Sequence, residues 1–215
     1  MKKLFLAATM FVAGVFALSA EDYNRVSVSY DMQHFGFNKE YTGDKSEGLN
    51  LNGFGVNYRH GFGVAQNMFV ETGLSSVFDF GTKDFGDDYK WKYNNINLAI
   101  PANFVYKFNV GENLTIAPYA GINFKLNLVT KCKEIEEGEE SESISVYDKD
   151  KMGGSDYTWN RFQMGWQVGV GFEMSKIYLG VQFGTDFIPA YSHKFDDEKA
   201  KVNTSALKVA VGYTF

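Results

Sequence analysis

The sequence predicts an all-β fold: an eight-stranded antiparallel up-and-down transmembrane β-barrel with its apolar face turned outward. Three observations predict it. Apolar and polar residues alternate with period 2 through eight successive segments, as strands with two unlike faces require. The connections between these segments alternate short and long, which gives a meander one tidy end and one elaborated end. Glycine crowds the polar parity and large aromatic side chains crowd the apolar one, so the small side of each strand suits a narrow interior.

Before the first strand, "MKKLFLAATMFVAGVFALSA" sets Lys2 and Lys3 ahead of an apolar run, 4–16, and closes on small residues. This is the three-part layout of a secretory signal peptide, so residues 1–20 are expected to be a leader and 21–215 the barrel. The run is shorter than the roughly 20 residues of a spanning helix. With Lys2 and Lys3 removed, the 21 basic residues fall to 19 against 26 acidic ones, a net charge near −7. That balance argues against nucleic acid as a partner, because phosphate binding needs a basic face. Cys132 is the only cysteine, so an intrachain disulfide is impossible.

The strands follow in order. The first, 26–37, sets Val26, Val28, Tyr30 and Met32 against Ser27, Ser29, Asp31 and Gln33. The second, 49–59, sets Phe54, Val56 and Tyr58 against Gly53, Gly55, Asn57 and Arg59. In the third, 68–80, Val70, Leu74 and Phe78 oppose Phe69, Glu71, Gly73 and Ser75. "INLAIPANFVYKF" and "LTIAPYAGINFKLNL" are the fourth and fifth, with Lys107 and Lys125 on their polar faces. The sixth, 160–173, alternates Phe162, Met164, Trp166 and Val168 with Arg161, Gln163, Gly165 and Gln167. The seventh, 177–187, carries Asp186 on its polar face, and the eighth runs from about 202 to the terminal "LKVAVGYTF". Short connections are "HGFGVAQN", "NVGEN" and "MSK"; the long ones are "NKEYTGDKSEG", "GTKDFGDDYKWK", 129–158 and 188–201.

Period 2 alone fits both a soluble barrel with an apolar interior and a membrane barrel with an apolar exterior. Size separates them. Phe104, Tyr106, Phe108, Phe124, Trp166, Phe172 and Phe183 would overfill an eight-stranded interior, whereas lipid accepts them. Strands of ten or more residues also match the 9–11 or so that cross a bilayer at a tilt. "LKVAVGYTF", with alternate hydrophobics and a terminal aromatic, resembles the signature by which the outer-membrane assembly machinery recognises its substrates. "INLAIPANFVYKF" and "IAPYAGINF" resemble strands of the small OmpA/OmpX-type outer-membrane barrels. The resemblance implies residence in the cell outer membrane, a monomer, outer-membrane lipid and the assembly machinery as partners, and Tyr213 and Phe215 as the assembly signal. A peptidoglycan-binding domain after the barrel is not expected.

With both termini periplasmic, strand direction gives each inward charge a height. Arg59, Glu71, Lys107 and Glu173 fall near the periplasmic end, Asp31 and Lys208 nearer mid-depth, and Lys125, Arg161 and Asp186 higher. Every level mixes signs, and charges enclosed in a narrow barrel are costly unless paired. The expectation is a charge network that plugs the lumen, with a structural or surface-interaction role. The alternative is a narrow porin-like channel for small solutes.

The other candidate chemistry is thin. "KEIEEGEESES" reads as a solvated, self-repelling surface loop, the alternative being a loop that binds a cation, a basic partner or another extracellular ligand. "DKD" at 148–150 lacks the glycine and twelfth-position Glu of a calcium loop, and no metal or cofactor is expected. Cys132 between Lys131 and Lys133 reads as an incidental free thiol. His34, His60 and His193 are the only histidines. "YSHKFDD" groups Ser192, His193, Asp196 and Asp197, but adjacent Ser and His on an extended chain point apart, and Ser75 or Ser76 would have to serve instead. An outer-membrane lipid-modifying enzyme is therefore the least favoured reading, and no catalytic residue is assigned.

Overall fold

The structure, a computed structural model, describes residues 20–37, 48–84, 86, 88–148, 150–151, 157–195 and 198–215, with backbone only at 37, 157–158, 193–195 and 198–200. The expected leader, 1–19, lies outside the described residues. Eight strands form the wall: β1 (Tyr23–Phe37), β2 (Leu49–Ala65), β3 (Met68–Asp84), β4 (Tyr89–Tyr106), β5 (Leu114–Glu136), β6 (Phe162–Met174), β7 (Ile177–Asp186) and β8 (Glu198–Thr214). Each pairs antiparallel with the next, and β8 returns to β1 to close the ring. The seam runs from Arg25 opposite Thr214 to Phe37 opposite Val202. Its lower end is tied by Phe215, whose N–H donates to the Asn24 carbonyl and whose carbonyl accepts from the Asn24 N–H, both at 2.8 Å.

The faces divide as size requires. Val28, Phe54, Val56, Ile100, Phe104 and Phe172 point outward and are exposed on the isolated barrel. Glu71, Ser75, Asp79, Asn95 and Gln163 point inward, each only 1% exposed. Small apolar clusters cap both ends of the lumen. Phe35, Leu49, Leu51, Ala190 and Val202 close the outer mouth with Tyr93 and Tyr191 packed against them. Tyr23, Phe69, Val105 and Ala117 close the periplasmic end with Ala20 and Tyr119.

The strands exceed their expected length at both ends. β2 continues through "HGFGVA" to Ala65, so the first short connection shrinks to a turn at Gln66 and Asn67, and His60 lies in the strand. Gly61 makes this possible: a β-carbon there would strike the ring of Tyr23. At the outer end, β4 begins at Tyr89 and β5 runs to Glu136, so most of "YKWK" and "KCKEIE" is paired hairpin. The acidic stretch is therefore strand and tight turn through Glu140, where a solvated loop was expected. Glu137 and Gly138 both take positive φ, as a two-residue hairpin turn requires. Glu140 folds back between Lys92, at 2.8 Å, and Lys133. These hydrogen bonds, Lys133 first, hold its carboxyl down to about 2.

One irregularity in β5 re-aims everything beyond it. Ile96 pairs with Val129 but Asn97 pairs with Asn127, so Leu128 is an extra residue. Such a bulge shifts the facing of the residues that follow. Lys125 and Asn127 point inward before it, whereas Thr130 and Cys132 do so after it, leaving Lys131 exposed. Cys132 is consequently buried above the membrane-spanning part of β5, and desolvation pushes its thiol up, aided by the neighbouring Glu134.

Two outcomes test the fold. Folded protein in detergent should change electrophoretic mobility on boiling, and an unchanged band would count against a closed barrel. Deleting Leu128 should turn Cys132 outward, so that a maleimide labels the folded variant markedly faster than wild type. An equal rate would mean that the bulge does not set the facing of Cys132.

Candidate functional site

The lumen is where this sequence concentrates its chemistry. Its periplasmic layer is built around Glu71 on β3. That carboxylate accepts from Arg25 on β1, from the Tyr23 hydroxyl at 2.8 Å and from the Asn103 amide at 3.1 Å, with the Arg59 guanidinium at 3.9 Å. Glu173 on β6 takes Lys107 at 2.8 Å and the other side of Arg25 at 3.4 Å. Arg25 thus bridges two carboxylates from opposite walls. Its guanidinium centre sits 3.8 Å from the centroid of the Tyr178 ring, and Lys107 Nζ sits 3.7 Å from that of Tyr23. Room for Tyr178 comes from Gly171 and Gly180, where any β-carbon would meet its ring or hydroxyl.

A relay of neutral groups leads upward from Arg59. Its Nη2 donates to Ser75 Oγ at 2.8 Å, Ser75 donates to Asn57 Oδ1 at 2.7 Å, and Asn57 Nδ2 donates to Ser29 Oγ at 3.2 Å. Ser29 then donates to Asp31 Oδ2 at 2.7 Å, and Lys208 closes on Asp31 at 3.1 Å.

The outer layer holds a second belt. Lys125 lies 2.5 Å from Asp186, which also accepts from Thr204. Gln163 donates to Thr204 at 3.1 Å, Asn127 to Gln163 at 2.8 Å, and Asn95 reaches both Asn127 at 3.4 Å and Asp79 at 3.3 Å. Side chains from six strands therefore share one network there.

The structure brings together eight of the nine charges assigned to the lumen from sequence: Glu71 with Arg59; Glu173 with Lys107; Asp31 with Lys208; Asp186 with Lys125. Arg161 is not among them. It precedes the first residue of β6 and is exposed at the rim, where Nη1 donates to the Leu128 carbonyl at 2.8 Å and the guanidinium lies 3.9 Å from the Tyr147 ring centroid. Arg25 and Asp79 are lumen charges that the sequence reading missed. Both share parity with the inward residues, but Arg25 lies one residue before the clear alternation of the first strand, and Asp79 lies at the end of the alternation in the third.

Other candidates are separated by the fold. Ser75 is committed to Arg59 and Asn57, while Ser76 points to the opposite face. His34 Nδ1 lies 2.7 Å from Asn50 Oδ1, on the outside of the wall. The His193 side chain and residues Asp196 and Asp197 lie outside the described residues. Among the described residues no three His, Cys, Asp or Glu side chains are grouped to hold a metal ion.

A closed antiparallel wall, an apolar exterior and a polar, glycine-rich interior are joined by a match over residues 4–215 to a family described as the outer membrane protein beta-barrel domain. This chain belongs to that family. It is accordingly an outer-membrane protein. Among solved structures it is similar to Ail, the attachment invasion locus protein of Yersinia pestis, solved with the heparin analogue sucrose octasulfate. There the identity is 16%, with 91% of this chain and 100% of that one covered, at a TM-score of 0.47. It is also similar to Neisserial surface protein A (15%, 92% and 99%, 0.43) and to OprG from Pseudomonas aeruginosa (10%, 94% and 99%, 0.43). Curated proteins give no match. At such identities no role is carried across from these structures.

Removing the hub of the periplasmic layer tests its weight. Glu71→Ala leaves Arg25 and Arg59 buried without their shared carboxylate and should cost about 3–5 kcal/mol in urea unfolding of the refolded barrel. Glu71→Gln keeps hydrogen-bond acceptance and should cost less. Equal, small losses in both would remove Glu71 as the hub.

Proposed function

We propose that this protein works as a closed, monomeric outer-membrane barrel, structural in the envelope and presenting its outer hairpins to an extracellular ligand or surface. The carrying observation is how small the polar cavities between the paired lumen side chains are: among the described residues, one of about 60 Å³ and one of about 20 Å³. Ion pairs line both cavities, Arg25 with Glu71 in the lower one and Lys125 with Asp186 in the upper, Lys208 of the Asp31 pair borders both, and buried apolar clusters lie at both ends. A solute path would require breaking buried pairs, each costly to separate. In planar bilayers the purified protein should insert without stable open-channel events. A sustained large conductance would overturn the closed reading in favour of a narrow channel.

The last strand supports a second part of the reading, recognition by the outer-membrane assembly machinery through Tyr213 and Phe215. Both face outward and are exposed, their rings 6.3 Å apart. Phe215 adds one pair of backbone bonds to a seam many residues long. Deleting it should therefore reduce membrane insertion in cells far more than it lowers the urea midpoint of barrel refolded in detergent. Equal losses in the two measurements would reduce Phe215 to a stability residue.

A further inference from the structure

The two layers of the lumen are not balanced separately. Arg25, Arg59 and Lys107 face Glu71 and Glu173 below, one cation in excess; Asp31, Asp79 and Asp186 face Lys125 and Lys208 above, one carboxylate in excess. The excess sits on Asp79. Lys208 is taken by Asp31 and Lys125 by Asp186, whereas Asp79 receives only the side-chain amides of Asn97, at 3.0 Å, and Asn95, at 3.3 Å. Among the described residues no basic group lies within ion-pair distance of it. Amide donors satisfy its hydrogen bonding without neutralising its charge, which Lys125 and Lys208 offset only from beyond ion-pair distance, and a buried carboxylate without its own counter-charge is costly.

A second, independent observation lies on the same cavity. Gln33 is 94% buried on the lumen side of β1, two residues beyond Asp31, and among the described residues its Oε1 has no donor. Asp31, Gln33 and Asp79 line one cavity of about 60 Å³ together with Lys125, Asp186 and Lys208, three carboxylates against two ammonium groups, and the space is enough for a small ion with a water or two. Glycine makes room for the two carboxylates. At Gly53, opposite both Asp31 and Asp79 in register, a β-carbon would strike the Asp79 carboxylate, and at Gly55 one would crowd Ser29 Oγ and Asp31 Oδ2. The bare backbone leaves room for the two carboxylates, which border the same opening as the Gln33 amide.

We infer that this cavity binds a monovalent metal cation of about the size of sodium, held by the Asp79 carboxylate and the Gln33 side-chain carbonyl with Asp31 beside them. Water alone would satisfy Gln33 and leave the charge. A divalent ion would overshoot an excess of one, and the three carboxylates are not grouped for it. The site is internal to the lumen, so it stands or falls separately from conductance.

The test uses the full folded chain in detergent, with sodium alone as the probe. The urea midpoint should be higher in sodium chloride than in N-methylglucamine chloride at equal ionic strength and pH, because an ion bound only by the folded state stabilises it. The ²³Na line should broaden with protein and narrow on adding a competing alkali ion. Asp79→Asn removes the charge at constant shape and should abolish both effects. Gln33→Leu removes one neutral ligand and should raise the sodium concentration for half effect about tenfold; it also carries the test should Asp79→Asn fail to fold. Identical midpoints in the two salts, or a sodium response that survives Asp79→Asn, would overturn the site. So would a stability that depends on pH but not on sodium, since a proton would then occupy Asp79.

Discussion

Everything in this protein depends on the seam between β1 and β8. In a hydrocarbon surrounding, every backbone N–H and carbonyl must find a partner within the protein, and a sheet achieves that only by leaving no edge. The antiparallel register from Arg25–Thr214 to Phe37–Val202 removes the last edge. Closure on eight strands then fixes a narrow interior. Because lipid takes the large apolar side chains, the enclosed faces are left with polar groups and glycine. The usual arrangement of a folded protein is thereby reversed, with charges at the centre and Phe54, Val56 and Phe104 on the surface.

A narrow polar interior cannot tolerate isolated charge, and this explains the character of the lumen network. Arg25, stacked on Tyr178 and shared between Glu71 and Glu173, joins strands on opposite walls. Neutral relays through Ser75, Asn57 and Ser29 connect the periplasmic layer to Asp31. Such pairs stabilise less than their number suggests, because desolvation offsets most of their attraction, but losing one partner is severe. The network therefore acts as a constraint on shape, holding the walls at one spacing. Its excess carboxylate, Asp79, borders an internal polar cavity that Asp31, Gln33, Lys125 and Lys208 also line.

Much of this was legible in the chain, because period 2 reports facing directly and residue size reports which face meets lipid. Strand number, order and the inward set of Asp31, Arg59, Glu71, Lys107, Lys125, Glu173, Asp186 and Lys208 follow from parity alone. The failures share a cause. Arg25 and Asp79 lie near the ends of alternating runs, where local pattern does not say that pairing continues. Arg161 has inward parity but precedes the first paired residue of its strand, so its side chain escapes to the Tyr147 ring. The acidic hairpin looked self-repelling because Lys92, which neutralises Glu140 with Lys133, comes from a strand nearly fifty residues earlier.

By itself the sequence determined that strands form, how many there are and which of their faces meets lipid, since these are properties of neighbours along the chain. Only the tertiary structure decided which charges meet, where the bulge at Leu128 reverses the facing of β5, and where one carboxylate is left without a cation. Those outcomes depend on register between strands and on the space that glycine on one strand leaves for a side chain on another. No local pattern carries that information. Ring closure supplies it by bringing distant residues to a common height in an interior too narrow for them to avoid one another.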